Sequence, residues 1–592
     1  MALAATFVSC GPDSSDAGDT AASPWVQTAW AVRADTVPTP SAAAGLAGAG
    51  ASGSPESPEV DADQPFRLRF ELEWPEDGAV GEGEAARFQL QARRGGGSWE
   101  TLLARDFPYP DEISTPPVSI VDATTWAHGA TTGDLLDGSS TPFVGGSAVA
   151  LDSVTAMGSL EADVAGPAHT EWEWPVVIRR YADGAETTEA GDVVEFRMVD
   201  GLGRPVEARG NGPATVQLRI PDGLLGGTFV ETPGVLGPWQ ADDGTLYFPM
   251  EPAETFNVLM TVRSEDFGAS WAEVGGTDRP VTDDLEGFAT AMHDRRVYML
   301  HQVSEATYLH AFATTDAASD PDSWVIRDEL VAEHSEPPTQ VAALVAHPDG
   351  ALTAFYGDSL GLRHRTREVD GSWGDEGRID GPEGTVASGV MAARGSDGRI
   401  HLAYTSGDAQ RRDVWYRTLS AAGVLGQPVR VATGVGVTDE DIGAVAPLVH
   451  FPESSLTVVP YRLDDGYLYA RIARPDGTLT PQTRVTDRPV VQNGSDSEQV
   501  GADAVGFEGR VILAVIDEET RDLRTVQGRP GPDGAIRWEP ARPLVDDINA
   551  QWVRGRVIRD EAGAAVYGLV YDAGSDGGSG MNRFVVLPLD EG

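Results

Sequence analysis

Seven short apolar runs, each following a Gly, Asp or Ser turn, recur through the last two-thirds of the chain: GTLYFPM (from 244), RRVYMLH (295), GALTAFY (350), GRIHLAY (398), SSLTVVP (454), GRVILAV (509) and GAAVYGL (563). Anchored on Leu246, Val297, Leu352, Ile400, Leu456, Val511 and Val566, they lie 51, 55, 48, 56, 55 and 55 residues apart. A period near fifty, in segments rich in β-branched and aromatic residues and broken by tight turns, means four-stranded units. One such unit cannot bury both faces of its sheet, whereas units stacked around a ring hide them and leave only short edges. The spacing predicts an all-β chain with a β-propeller over 225–592, seven blades favoured and six possible. The run MNRFVVLPL (581–589) ends the last repeat, so its outer strand is either absent or supplied from before residue 230.

Upstream the pattern changes. FRLRFELEW (66–74) alternates Phe66, Leu68, Phe70, Leu72 and Trp74 with Arg67, Arg69, Glu71 and Glu73. ARFQLQARR (86–94), WEWPVVIRRYADG (172–184) and DVVEFRMVD (192–200) alternate likewise. Period two predicts an antiparallel β-sandwich over 25–222, each sheet with one face in a core and one in water. The Ala/Gly/Ser/Pro-rich stretch 39–64 reads as a flexible loop within it, and 11–24 as a tether. Through PFRLRFELE, RFQLQARRGGGSWETL and HGATTGDLL the region 25–220 resembles a β-rich module of bacterial surface proteins, which implies no activity.

Charge and composition exclude several functions. Asp and Glu number 92 against 43 basic residues, a formal charge of -49, so long-range repulsion argues against nucleic acid as a partner. All 43 basic residues are arginine, which rules out Schiff-base lysines and the Gly-Lys phosphate loop. The ten histidines include no His-x-His or HExxH, and no acidic run has EF-hand spacing, so these motifs give no metal site and no cofactor is expected. GAGASG (48–53) has no strand before it, and GDSLG around Ser359 runs into LRHRTREV, a returning strand where a nucleophile elbow needs a helix.

The single cysteine, Cys10, ends the short apolar run of MALAATFVSCG and is followed by small and acidic residues. Residues 1–10 resemble a bacterial lipoprotein signal, with Phe7 at the position usually held by Leu and without the leading positive charges. The resemblance implies lipidation at Cys10, and with it a place in the bacterial cell envelope, lipid-anchored at the outer membrane or cell surface, or secreted. No apolar run approaches the length of a membrane span, so membrane contact is expected through a lipid anchor only.

One octet carries a second resemblance. SEDFGASW places Ser264, Asp266, Gly268, Ser270 and Trp271 in the pattern Ser-x-Asp-x-Gly-x-Ser-Trp, and looser copies stand at DPDSW (320–324), DGSW (370–373) and PDGAIRW (532–538). This resembles the Asp-box (BNR repeat) of sialidases and related propellers. Each residue type has a reason: the Asp caps backbone N–H groups, the Gly takes positive φ, and the Trp packs beneath the turn. In that family the turn joins a blade's third and fourth strands, away from the substrate, so the resemblance implies fold and leaves catalysis open.

A sialidase also needs three arginines around a sugar carboxylate, an acidic aspartate and a tyrosine activated by a glutamate. Here the chain departs from the pattern. Arg219, in LRIP, lies 27 residues before Leu246 and reads as the end of a sandwich strand. PMEPAETFNVLMTVR has no arginine before Arg263 and offers Glu251 and Glu254 where the acid belongs. With Tyr461 these two are the catalytic candidates. For ligand binding, the loops leading into each inner strand put Glu286, Gln340, Asp441, Gln499 and Trp552 at the mouth of the ring. Carboxylates, amides and an indole suit a sugar or a cation, and Arg363, Arg365, Arg411, Arg412 and Arg417 are the candidates for receiving an anionic sugar. The functional expectation is a monomeric envelope protein whose sialidase-like propeller recognises a glycan or other extracellular ligand without necessarily cleaving it. An exo-sialidase type of glycoside hydrolase and a surface scaffold for protein partners are the alternatives.

Overall fold

The structure is a computed structural model. It describes residues 23–589 apart from 35–56, 81–86, 104–116, 122–126, 150–157, 160–163, 227–233, 251–258, 275–279, 281–287, 315–323, 335–341, 380–385, 436–443, 493–499, 573–581 and a few positions between. Every regular element among the described residues is a strand and none is a helix. The chain divides into two units, one from Met1–Arg105, Val118–Ile178 and Ala190–Arg219, the other from Asp106–Pro117, Arg179–Glu189 and Ile220–Gly592.

Among its described residues the larger unit has seven antiparallel sheets of four or five strands, beside a short hairpin of Tyr181–Ala182 and Ala185–Glu186. The first has strands Trp239–Gln240, Leu246–Met250, Met260–Ser264 and Ala272–Val274; the second Phe288–His293, Arg296–Val303, Ala306–Ala313 and Trp324–Glu333. The third has Ala343–Ala346, Leu352–Asp358, Gly361–Arg367 and Gly377–Ile379; the fourth Val386–Arg394, Ile400–Asp408, Arg411–Leu419 and Val429–Val435. The fifth has Val449–Phe451, Leu456–Arg462, Leu468–Ala473 and Thr483–Arg484; the sixth Ala502–Phe507, Arg510–Ile516, Leu523–Pro530 and Ile536–Trp538, with Arg542–Val545 also pairing on Leu523–Pro530. The seventh has Val553–Arg559, Ala565–Asp572 and Asn582–Pro588, and takes its outer strand from far upstream, where Leu224–Gly226 pairs antiparallel with Asn582–Pro588.

All seven anchors of the repeat fall at the first or second residue of a second strand, which is why the period is visible: that strand has neighbours on both edges and both faces, so it is mostly apolar and buried. First strands of successive sheets lie side by side from the second sheet to the seventh, and the seventh lies against Trp239–Gln240. The Thr290 amide donates to the Val235 carbonyl at 2.7 Å, tying the second sheet to the segment entering the first. The sequence of neighbours closes on itself.

The turn Ser264–Trp271 joins the third and fourth strands of the first sheet. Ser264 Oγ donates to Asp266 Oδ1 at 2.8 Å and accepts from the Gly268 amide at 2.6 Å, while Asp266 also accepts the Ser270 amide at 2.8 Å and the Ser270 hydroxyl. Burial raises the Asp266 carboxyl, but these bonds outweigh it and hold the group below its ordinary range. Gly268 has φ +89°, and a Cβ there would lie 2.1 Å from Phe584 Cδ1, so both backbone and space demand glycine. Trp271 is buried, donates to the Gly268 carbonyl at 3.2 Å and meets the Phe584 ring edge-on at 5.6 Å. Asp370 in DGSW repeats part of this device, accepting the Ser372 amide at 3.0 Å and hydroxyl at 2.6 Å.

Two imidazoles are enclosed in the second sheet. His301 Nδ1 lies 3.3 Å from His310 Nε2, and His310 Nδ1 accepts the Asp328 amide at 3.1 Å. Burial, with His301 and Arg327 adding repulsion, pushes His310 down to about 3.

The smaller unit has two principal sheets. One runs Glu207–Ala208, Val26–Ala34, Phe66–Trp74, Ala168–Ile178, Ser147–Ala148, Ala130–Thr131; the other Gly158–Ser159, Arg87–Arg94, Val193–Asp200, Ala214–Arg219, Glu59–Asp61. Their apolar faces meet through aromatic contacts, Trp25 with Phe88 at 5.4 Å, Phe88 with Trp172 at 4.9 Å and Phe66 with Phe196 at 6.3 Å. The second sheet alternates between buried and accessible positions as expected, in the pattern of Arg87–Arg94.

The first sheet corrects the expectation of a wet polar face. Arg33, Arg67, Arg69, Glu71, Glu171 and Glu173 are all buried. The segment from Ala130 to Ala148 covers them: the amides of Leu135 and Leu136 donate to Glu171 Oε1 at 2.6 and 2.7 Å, and the Thr132 hydroxyl donates to the Glu171 carbonyl at 2.6 Å. Period two in a strand fixes that two faces exist and leaves open what covers the second one.

Candidate functional site

Antiparallel pairing brings the connection into each first strand to the same end of the sheet as the turn between second and third strands, as the register Val449 to Val458 shows in the fifth sheet. At this end the described side chains belong to the turns 463–467 and 517–522 and their surroundings. Glu286, Gln340, Asp441 and Gln499 lie outside the described residues, as do Glu251, Glu254 and Cys10.

Trp552 is described and is not on a rim. It is fully buried, with its ring stacked on Phe248 at 6.4 Å and 9° in the apolar cluster shared by the first and seventh sheets. Immediately before Val553–Arg559 the chain is already between sheets, where an indole fills volume and cannot stack on a ligand.

Around the two described turns polar and aromatic groups converge. Arg462 donates from Nε to the Val490 carbonyl at 2.8 Å and from Nη1 to Gln492 Oε1 at 2.7 Å, with Glu518 3.6 Å from its Nη2. Burial lowers the Arg462 pKa, and Glu518 with Asp465 partly restores it. Asp517 accepts the amides of Glu519 and Thr520 at 3.0 and 3.1 Å and faces Arg488 and Arg524 at 3.4 Å each. On the fifth sheet the Tyr469 hydroxyl donates to Asp465 Oδ2 at 2.7 Å, and the Arg484 guanidinium lies 3.8 Å over the Tyr467 ring. Partly accessible aromatic rings beside a carboxylate, an amide and a guanidinium can take hydroxyl groups in pairs and a sugar face in stacking. The sequence signal was DDGYLYAR (464–471), a double-Asp turn opening an alternation of tyrosines. Arg484, which completes the group, sits on another strand, so the run alone does not mark the site.

Tyr461 belongs to a series. Tyr356, Tyr404 and Tyr461 occupy second strands of the third, fourth and fifth sheets, and all three are buried. Burial raises the pKa of each. The Tyr461 hydroxyl donates to Gln482 Oε1 at 3.0 Å, an amide that cannot serve as a base. Tyr356 donates to Glu376 Oε2 at 2.9 Å, and Arg363 lies 3.6 Å from the same carboxylate.

The third-strand arginines repeat too. Nε of Arg365, Arg417 and Arg471 donates to the carbonyl nine residues on, Gly374, Gly426 and Thr480, at 2.9, 2.8 and 2.7 Å. Arg365 and Arg471 also reach the carbonyls of Val331 and Val431 on the preceding sheet. Arg365 is therefore a strap within and between sheets, and Arg417 a strap within its own. Arg412 is buried, and the side chain of Arg411 is outside the description. Arg219 ends a strand of the smaller unit and forms a forked pair with Asp61 at 2.6 and 2.8 Å.

The covered face of the smaller unit holds a second polar group. Arg33 grips Glu173 bidentately at 2.6 and 2.7 Å, and Arg69 bonds both Glu171 and Glu173. Glu71 has neutral donors, the Thr28 hydroxyl and the Gly138 amide at 3.2 Å. Burial pushes its carboxyl up to about 7, against the Thr28 bond and the attraction of His169. His169 Nε2 lies 3.2 Å from Asp134 Oδ1.

No protein-family model matches the chain, and no curated protein matches it. Solved structures do. A virginiamycin B lyase from Staphylococcus aureus is similar over 62% of this chain and 98% of its own, with 11% identity and a TM-score of 0.38. An ulvan lyase of polysaccharide lyase family PL25 is similar over 62% and 95%, with 10% identity and a TM-score of 0.41. An intramolecular trans-sialidase from Ruminococcus gnavus is similar over 60% and 94%, with 12% identity and a TM-score of 0.33.

Proposed function

We propose that the seven sheets are the blades of one sialidase-like propeller, attached to an N-terminal sandwich, and that its mouth recognises an extracellular glycan without hydrolysing it. The observation that carries this reading is the group around Asp465, Tyr467, Tyr469 and Arg484, accessible aromatic faces and a carboxylate at the end where the inner strands begin. The octet Ser264–Trp271 supports the propeller reading as an Asp-box, since its side chains do the capping and packing that motif exists to do. Glycan-array binding by the purified chain tests the reading. Binding to a neutral or cationic glycan that falls at least tenfold in Tyr467→Ala and Asp465→Ala supports it; binding unchanged in both variants overturns the site.

The hydrolase alternative has one observation in its favour, the Tyr356 to Glu376 hydrogen bond with Arg363 beside it. Against it, the Tyr356 hydroxyl is buried and its position is the repeat position that Tyr404 and Tyr461 share. Release from a fluorogenic sialoside that is lost in Tyr356→Phe would establish the hydrolase in place of the binder. For location, the signal-like segment ending at Cys10 supports a lipid-anchored envelope protein. Partition into the detergent phase that Cys10→Ala abolishes would be its mark.

A further inference from the structure

We propose that Glu71, Asp134 and His169 form a binding site for a divalent transition metal, zinc foremost, that fastens the covering segment of the smaller unit onto its charged sheet.

The three ligand atoms already lie within 4.8 Å of one another. Around a zinc ion with bonds of roughly 2.0–2.2 Å, neighbouring ligand atoms stand about 3–3.5 Å apart, so small side-chain rotations suffice to close the set. The 3.2 Å between His169 Nε2 and Asp134 Oδ1 falls in that range as it stands. One imidazole with two carboxylates is a donor set that zinc accepts, leaving a fourth position for water.

The supporting shell is also in place. Thr141 Oγ1 lies 3.4 Å from His169 Nδ1, the ring nitrogen turned away from the site, so a hydroxyl there can fix the tautomer that leaves Nε2 free to coordinate. Phe143 packs on the same imidazole at 5.3 Å. Thr28 and the Gly138 amide orient the Glu71 carboxylate. Asp134 is 53% exposed and provides the way in from solvent, while Glu71 and His169 are buried.

Electrostatics point the same way. Arg33 and Arg69 face Glu171 and Glu173, two guanidinium groups for two carboxylates, whereas the charged groups acting on Glu71 are His169 and Glu171. A cation would neutralise the buried carboxylate, and the chain's charge of -49 would draw it there. Because Glu71 and His169 sit on adjacent paired strands and Asp134 on the segment above them, one ion would join all three pieces. Residue separations of 63 and 35 hide the set from any motif search.

The test uses the full chain, stripped with a chelator and dialysed. Calorimetric titration with Zn²⁺ is expected to show one equivalent bound, with Co²⁺ giving the visible absorption of a nitrogen–oxygen site. Asp134→Asn, Glu71→Gln and His169→Gln are each expected to weaken binding at least tenfold. Asp134→Asn is the decisive variant, since its half-exposed side chain can change without disturbing the core. Its unfolding midpoint without metal should match the parent, while the upward shift that Zn²⁺ gives the parent should vanish. No stoichiometric binding, or an affinity equal to the parent's in Asp134→Asn and Glu71→Gln, overturns the proposal.

Discussion

The two units face the same problem and solve it differently. A β-sheet has two faces, and both must be hidden or hydrated. In the larger unit sheets of one repeating kind are neighbours, so apolar residues can occupy both faces, as residues 511–516 and 565–571 do with every residue buried. In the smaller unit the sheet of Val26–Ala34, Phe66–Trp74 and Ala168–Ile178 has an apolar partner on one side only. Its other face is charged and is closed by the chain's own segment Ala130–Ala148. Neighbouring sheets let apolar residues fill both faces, whereas a sheet with one apolar partner buries charge on its other face and must pair it.

The largest expected effect tests that pairing. Glu173→Leu would take away the carboxylate that Arg33 grips and that one arm of Arg69 bonds, inside a buried layer, which should cost about 3–5 kcal/mol. Urea unfolding followed through the tryptophans Trp172 and Trp174 measures it, and a loss of less than about 1 kcal/mol would mean that water reaches the layer. Next comes the packing of the ring. Gly268→Ala drives a methyl group into Phe584 at a backbone angle that L-residues avoid, for an expected loss of about 2–4 kcal/mol. Gly423→Ala, at φ +74° with nothing within 4 Å of the new Cβ, isolates the backbone part, expected at about 1 kcal/mol. Equal losses at the two glycines would dismiss the Phe584 contact.

A pH profile separates the units further. His310 holds a folded pKa of about 3, below an unfolded imidazole at about 6.5, so between these values the unfolded chain binds the extra proton. Its contribution is intact above about pH 6.5 and is lost as pH falls toward 3. His401, pushed down by burial to about 4 with His450 adding, acts with the same sign. The thermal midpoint of the larger unit should fall across pH 6.5 to 4.5, less steeply in His310→Gln; an unchanged slope in that variant removes the explanation. The smallest effect belongs to the surface: Arg219→Ala breaks a forked pair whose guanidinium is 58% exposed, and calorimetry should find a change of no more than about 1 kcal/mol.

Legibility in the sequence followed the same divide. The repeat of the larger unit could be read because every sheet has a second strand with neighbours on all sides, and that strand announces itself at Leu246, Val297 and their equivalents. The turn at Asp266 could be read because capping and positive φ are local demands. Long-range roles could not. Tyr461 looked like a nucleophile until Tyr356 and Tyr404 stood at the same place, and Arg365 and Arg417 looked like anion ligands until their donors met backbone carbonyls. Trp552 carried no sign that its strand begins inside the core. For the charged strand Phe66–Trp74 alternation gave the faces correctly, and only the tertiary structure says that a segment sixty residues on closes over the polar one.

The clasp in the seventh sheet, Leu224–Gly226 against Asn582–Pro588, imposes an order on biosynthesis. During translation the early edge waits without its partner while six sheets emerge after it, and the circle can be completed only once the final hairpin has left the ribosome. Until the two strands meet, each leaves an unpaired sheet margin open to other strands.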